Sequence, residues 1–291
     1  MDCYWYISDS LRPWEAAVVG TLARALIREG VKLHSFCGGG TESLSIPGLL
    51  SWHSLNATER ALIVGTKGKL WHLWGTPPSW WKFIRLRSRT IHTLFENPAK
   101  DWKGHPTVLS ATACSSGESY IPPAFEVKMN WSADEGKESF EETGTPVFLL
   151  SGGSAEEFEV FAEGAAKASS TLRNFDESPD EGMKLLSSGN CILLLPRPSS
   201  SLALLSAFVA LMGIPSVAVR SALMDEMLGK EGYVHLQSEN PAEAAHALRS
   251  ALGEGGRSAS AFARRNITDT FSPEKGARKL KTLYLSLGGD Q

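Results

Sequence analysis

The chain has 291 residues, of which 42% are hydrophobic and 21% charged, with a formal net charge of −3. This length accommodates two domains with separate cores, and the composition excludes a disordered or fibrous chain. The faint acidic balance gives no general argument for nucleic acid, and the scattered Cys3, Cys37, Cys114 and Cys191 exclude a Cys/His zinc motif or a disulfide framework.

The first elements follow a regular alternation. Residues 4–8 suit a short buried strand, and Asp9-Ser10 with Pro13 turns into a helix whose Val18, Val19, Leu22, Leu26 and Ile27 recur at helical spacing. Gly30 is a good helix-terminating residue, and residues 31–36 read as the next strand. Strand, helix and strand in so few residues form a βαβ unit, which implies a parallel sheet. After Gly38-Gly39-Gly40 the pattern is less regular. Residues 61–64, 70–73, 90–95 and 107–110 are strand candidates, and 113–117 form a loop of small residues. The acidic, polar stretch 132–145 marks a linker.

From Pro146 the alternation resumes. Residues 147–150 form a strand and Ser151-Gly152-Gly153 a phosphate-sized turn, with Ser154 as an N-cap. Ser178-Pro179 opens a helix, and 191–195 is an apolar strand ending at Pro196-Arg197-Pro198. Three serines then start an apolar helix over 202–212, which stops at Gly213 before a strand over 215–219. A strand over 233–236 and helices over 241–252, 257–267 and 272–285 complete the chain. No run crosses a bilayer: residues 201–219 come nearest and are broken by Gly213 and Pro215. The N-terminus lacks the order of a signal peptide, so the expected location is the cytoplasm, extending to the inner face of the membrane.

These patterns predict an α/β protein of two Rossmann-like domains facing across a cleft, with ligands at the carboxyl ends of the strands. Residues 1–131 form the first domain, 132–145 the acidic linker and 146–270 the second domain. Residues 271–291 form a C-terminal helix that crosses back to the first domain.

With both halves laid out, the chain resembles the GT-B glycosyltransferases, and among them the large retaining family called GT4. The stretch SPDEGMKLLSSGNCILLLPRPSSSLALLSAFVALMGIPSVAV stands where that family has its helix, its v-x-P-S and E-G-F-G segments and its E-A-M-A-x-G-x-P-V-V block. The first βαβ unit, TIHTLFENP and YIPPAFE look like the family's N-terminal segments. The resemblance implies a nucleotide-sugar donor held by the second domain, an acceptor of unspecified kind held by the first, and neither metal nor cofactor. In the family, one glutamate of an E-x7-E pattern lies by the donor sugar and the other typically holds the ribose; here Ser199 and Ser206 stand at those places. Glu156, Glu157 and Glu159 follow the turn where the family grips the diphosphate with Arg and Lys, and Phe95 replaces a histidine. Arg197 can replace one lost cation. These departures keep a second reading open: a catalytically silent GT-B-like scaffold that binds a partner.

The donor-side candidates are therefore Ser151, Gly152, Gly153 and Ser154, with Arg197, Ser199, Ser200, Ser201 and Ser206. Asp9 and Glu96 are the candidate catalytic carboxylates, and Arg12, His72, Trp74 and Asn97 are the acceptor-side candidates. Residues 67–105 carry eight Lys/Arg against two Asp/Glu. Within them Trp80, Trp81, Lys82, Arg85, Arg87 and Arg89 suit an anionic membrane surface, a partner protein or an aromatic sugar platform, or else a helix with its aromatic residues in the core. Nucleic acid is not expected, since no binding motif appears.

Overall fold

The computed structural model describes residues 1–39, 46–65, 67–85, 88–93, 95, 105–126, 147–177, 179–188, 191–236 and 240–288. The chain divides into two compact units: Met1–Glu126 with Phe271–Gln291, and Val127–Thr270. The linker over 132–145 lies outside the described residues.

In unit 1 the elements run β1 (Asp2–Ile7), α1 (Pro13–Arg28), β2 (Lys32–Cys37), β3 (Leu50–Ser51), α2 (Ala57–Gly65), β4 (Leu70–Trp74), α3 (Trp81–Arg85), β5 (Arg89–Thr93), β6 (His105–Val108) and β7 (Ser119–Tyr120). Unit 2 continues with β8 (Val147–Leu150), α4 (Ala155–Lys167), β9 (Thr171–Asn174), α5 (Pro179–Ser188), β10 (Cys191–Leu195), α6 (Ser200–Leu211), β11 (Ser216–Val219), α7 (Ala222–Leu228), β12 (Val234–Leu236), α8 (Pro241–Leu252) and α9 (Glu254–Thr270). The last helix, α10 (Pro273–Gly288), belongs to unit 1 and packs on α1.

Local chemistry sets most boundaries. Pro13 fills the first turn of α1, whose Glu15 carboxylate accepts the Arg12 N–H at 2.9 Å, and Gly30 follows its end at φ +81°. Residues 61–64, expected as a strand, belong instead to α2. Asn56 and Glu59 explain the difference: Asn56 Oδ1 accepts the Glu59 N–H at 2.9 Å and Glu59 Oε2 accepts the Asn56 N–H at 2.7 Å. This reciprocal cap nucleates a helix through an apolar run that periodicity alone cannot assign.

Both sheets are parallel throughout. Unit 1 has seven strands in the order β3-β2-β1-β4-β5-β6-β7, and unit 2 has five in the order β12-β11-β10-β8-β9. The chain winds outward from β1 one way and from β4 the other, the arrangement of a doubly wound Rossmann sheet. In unit 2 the winding reverses between β8 and β10.

Alternation along β1 and β4 sorts unit 1 into two contrasting faces. Tyr6, Trp71 and Leu73 pack with Phe36, Trp52, Trp81 and Ile84 on the side of α2 and α3. Trp5, His72 and Trp74 face the other way, towards α10, and there a polar chain is buried. Trp5 Nε1 donates to Tyr284 Oη at 2.8 Å; Tyr284 Oη meets His72 Nδ1 at 2.6 Å; His72 Nε2 meets Thr93 Oγ1 at 2.7 Å; Thr93 bonds Thr107, which donates to the His92 carbonyl at 2.8 Å. The direction is determined. Because the Thr107 proton goes to a carbonyl, Thr93 must donate to Thr107 and His72 to Thr93. His72 thus carries its proton on Nε2 and accepts from Tyr284 on Nδ1. Burial, reinforced by His92, holds the His72 pKa well below its ordinary value, while burial first and Cys3 second push Tyr284 well above.

Two outcomes follow. Tyr284→Phe leaves Trp5 Nε1 and His72 Nδ1 without partners, so urea denaturation should show a loss of about 2–4 kcal/mol. Because the unfolded chain takes up a proton on His72 that the folded chain refuses, stability should fall as the pH drops below about 6.5, at up to about 1.4 kcal/mol per pH unit from this group. His72→Gln should be less stable at pH 8 yet show a shallower decline between about pH 6.5 and 5, as read from denaturation midpoints across that range.

Candidate functional site

An open parallel sheet leaves a crevice where its winding reverses, beyond the carboxyl ends of the two strands that flank the reversal. In unit 2 those strands are β8 and β10, and the loops beyond them meet. Gly152 has φ +75°, and a Cβ on it would stand 2.7 Å from Leu202 Cδ1 and 3.1 Å from the Arg197 carbonyl oxygen. Only glycine lets the 151–154 turn approach the start of α6 so closely. The structure therefore brings together Ser151, Gly152, Gly153 and Ser154 with Arg197, Ser199, Ser200 and Ser201.

The start of α6 is capped by Ser199, whose Oγ accepts the Leu202 N–H at 3.4 Å and whose carbonyl accepts the Ala203 N–H at 2.8 Å. Ser200 is half-buried and Ser201 fully buried. Ser206 sits deeper in the helix, fully buried, and its hydroxyl donates back to the Leu202 carbonyl at 3.0 Å. That bond turns Ser206 into the helix rather than towards the crevice, which corrects its expected role as a ligand contact.

Two carboxylates already occupy the turn. Asp176, just beyond β9, accepts the Ser151 hydroxyl at 2.8 Å and the Gly152 N–H at 2.8 Å. Glu157 is only 4% exposed; its Oε2 accepts the Ser154 N–H at 2.6 Å and its Oε1 accepts the Arg197 Nε–H at 2.8 Å. Burial alone would raise the Glu157 pKa, but the bonds from Ser154 and the Arg197 guanidinium outweigh it and hold the carboxyl below its ordinary value. The sequence shows acidic residues after the turn; the structure shows Glu157 turned inward, neutralised and structural. Arg197 keeps a side chain 64% exposed while anchored through Nε.

A depression of about 280 Å³ adjoins the end of β9, lined by Leu149, Arg173, Asn174, Glu177, Glu181 and Leu185. A larger one, about 610 Å³, is lined by Tyr233, His235, Ser258, Phe262 and Arg265. It lies at the amino end of the edge strand β12, the wrong end for a switch-point site.

In unit 1 the reversal falls between β1 and β4. Ser8 Oγ meets Ser10 Oγ at 2.8 Å, Ser10 Oγ donates to Thr76 Oγ1 at 3.1 Å, and Gly75, at φ +85°, leaves room for Leu11. Asp9 is exposed beside the backbone of Gly38 and Gly39. Arg12 lies 5.6 Å from the Trp14 ring centroid. Burial first, with the charges of Asp9 and Cys37 after it, pushes the Tyr6 phenol up to about 12.

His72 and Trp74, expected beside the acceptor, are instead fully buried on the α10 side of the sheet. Both faces of a parallel strand are covered, so alternate residues of β4 go to core rather than to the crevice. The surface expected over 80–89 is also divided: Trp81 is buried and Trp80 stacks on Trp52 at 4.2 Å, whereas Lys82 and Arg89 remain exposed, Arg89 bonding the Leu287 carbonyl. Burying the indoles fills the aromatic layer beneath α3. The Arg85 side chain, Arg87, Glu96 and Asn97 lie outside the described residues. Among the described residues no three His, Cys, Asp or Glu gather as metal ligands. Asp176 was missed because nothing in its local sequence ties it to a turn 24 residues earlier.

No family model matches the sequence, and a search of curated proteins returned no match. Solved structures do match. A glycosyltransferase from Rickettsia africae has 12% identity and a TM-score of 0.64, covering 100% of this chain and 99% of its own. AviGT4, a glycosyltransferase involved in avilamycin A biosynthesis, has 16% identity and a TM-score of 0.64, with 99% of each chain covered. HepE of Anabaena, in complex with UDP-glucose, has 11% identity and a TM-score of 0.63, covering 98% of this chain and 100% of its own. The two parallel sheets of this chain have the GT-B fold of these glycosyltransferases.

The carboxylate on the turn makes a measurable demand. Asp176→Ala frees the Gly152 N–H and removes a negative charge from the crevice. Calorimetric titration with pyrophosphate should then show about tenfold to a hundredfold tighter binding than in the unsubstituted chain, the worth of one hydrogen bond to a charged group.

Proposed function

We propose that this chain is a metal-independent glycosyltransferase of GT-B type that takes a sugar from a nucleotide-sugar donor. The observation that carries this reading is the meeting, at the winding reversal of unit 2, of a glycine-bearing turn, a helix N-terminus and a partly exposed arginine. The first turn of α6 offers main-chain N–H groups and the positive end of the helix dipole, both suited to the donor diphosphate. Arg197 supplies the accompanying positive charge, pre-positioned by Glu157. The depression at the end of β9 gives the nucleoside a place beside the turn.

The acceptor belongs to unit 1 on this reading, beside Asp9 and Arg12 at the reversal between β1 and β4. Asp9, or Glu96 by its place in the sequence, is the carboxylate that takes the proton from the acceptor hydroxyl as the glycosidic bond forms. Charge stabilisation of the departing nucleoside diphosphate then falls to α6 and Arg197, which is why no metal is invoked.

One observation favours the second reading, a catalytically silent scaffold on the same fold. Asp176 and Glu157 hold the turn's donors that a diphosphate would otherwise use, and Ser206 keeps its hydroxyl inside its own helix. The two readings separate in a thermal-shift and calorimetric panel of UDP-, GDP-, ADP- and CMP-sugars, each with magnesium and with EDTA. A donor-using enzyme should be stabilised by about 2.7 kcal/mol at one hundred times the dissociation constant of its donor, unchanged by EDTA, and Arg197→Ala should weaken that donor by about tenfold or more. Indifference to every donor would leave the scaffold.

A further inference from the structure

Among the described residues, the two faces of the unit 1 sheet are covered unequally. The face bearing His72 lies under the 16-residue helices α1 and α10. The aromatic face lies under α2, nine residues with no buried side chain, and α3, only five residues long. The inward sides of this thin layer are accounted for: Ile63 and Val64 of α2 pack against the cluster of Trp71, Trp81 and Ile84. The outward sides are unusual. Leu62 of α2 is 73% exposed and Phe83 of the neighbouring α3 is 54% exposed, each larger and more apolar than a solvated helix face calls for. The surrounding charge has one sign. Residues 50–93 contain seven Lys/Arg and a single acidic residue, Glu59, whose carboxylate is engaged in capping α2. Lys82 stands 5.4 Å over the ring of Phe83, and Lys67 is exposed just beyond α2.

We infer that α2 and α3 form a docking face for an anionic membrane surface, with Leu62 and Phe83 entering the interface and the flanking lysines meeting lipid phosphates. Charge complementarity selects this occupant. An acidic partner protein would satisfy the lysines, but it would not require two exposed apolar side chains raised on short, shallow helices; an interfacial layer accepts both. The tryptophans next to them serve the opposite purpose: Trp81 is buried and Trp80 stacks inward on Trp52, so they hold the helices down rather than enter lipid. This surface does not depend on the donor reading, and its test is separate from any activity.

The experiment is co-sedimentation of the full chain with vesicles of phosphatidylcholine alone and of phosphatidylcholine with about one-third phosphatidylglycerol, at low and high salt. The chain should pellet with the anionic vesicles only, and less so as salt screens the lysines. Leu62→Ser with Phe83→Ser should weaken that partitioning by about tenfold or more while leaving the melting temperature unchanged, since both side chains are exposed. Lys67→Glu with Lys82→Glu should abolish the preference for anionic vesicles. Failure of the chain to pellet with anionic vesicles, or equal pelleting of the Leu62/Phe83 variant, overturns the inference. So does a dimer in solution that the same pair of substitutions separates, because a second copy would then be the occupant.

Discussion

A single buried line of hydrogen bonds holds unit 1 as one body. It starts on the first strand at Trp5, passes through Tyr284 of the last helix, and crosses β4, β5 and β6 through His72, Thr93 and Thr107. Every member is buried, and each donor has one acceptor that leaves the next in line satisfied. Such a network stabilises only when complete; a gap leaves a polar group in an apolar core. That constraint accounts for the path of the chain. Unit 1 draws on both ends of the sequence, and α10 brings the Tyr284 hydroxyl that links Trp5 to His72. Further contacts show how closely the helix is held: a Cβ on Gly276 would stand 2.7 Å from Leu22 Cδ2 and 3.0 Å from the Pro122 carbonyl oxygen, and Lys281 donates to the Glu29 carbonyl at 2.5 Å.

Parallel winding then decides where chemistry can sit. A sheet that reverses its winding opens a crevice there, and both reversals in this chain carry hydroxyl and glycine residues suited to close main-chain approach. In unit 1 these are Ser8, Ser10, Gly75 and Thr76; in unit 2 they are Ser151, Gly152 and Ser199. The difference lies in charge. Unit 2 has lined its crevice with Asp176 and Glu157, each bonded to main-chain N–H groups of the same turn. Glu157 is neutralised by Arg197, whereas Asp176 is exposed and accepts from the Ser151 hydroxyl and the Gly152 N–H. On the proposed donor reading, Asp176 is therefore the group with which a phosphate competes for the Gly152 N–H.

The sequence made the alternation of strands and helices legible because its signals are local. Gly30, Gly213, Ser154 and Asn240 stop or cap helices through their own backbone and side-chain chemistry. Where two local signals conflict, the cap decides: the apolar 61–64 reads as strand, yet Asn56 and Glu59 cap a helix that runs through it. The site divided in the same way. Ser151, Gly152, Arg197 and Ser199 follow strands directly and so fall at a crevice whatever the rest of the chain does. His72 could not be placed, because which side of β4 it takes depends on Tyr284, 212 residues later. Asp176 depended equally on a distant turn, and Ser206 on a bond within its own helix that a count of spacing does not reveal.

The abundance of tryptophan has a physical origin in the short crossovers of unit 1. Among the described residues, the helices over this face of the seven-stranded sheet are only nine and five residues long, leaving volume that they do not fill. Trp52, Trp71, Trp80 and Trp81 fill it instead, in contact with Tyr6 and Phe36. This solution has a cost. Among the described residues, Trp71 Nε1 in this layer is buried without a hydrogen-bond partner, a penalty of about 1–3 kcal/mol. An indole that buries about 200 Å² of largely apolar surface returns roughly 5 kcal/mol, so the exchange remains favourable. A thin layer can thus be stable without being thick, and its outer side is left free to carry side chains such as Leu62 and Phe83 that the core does not use.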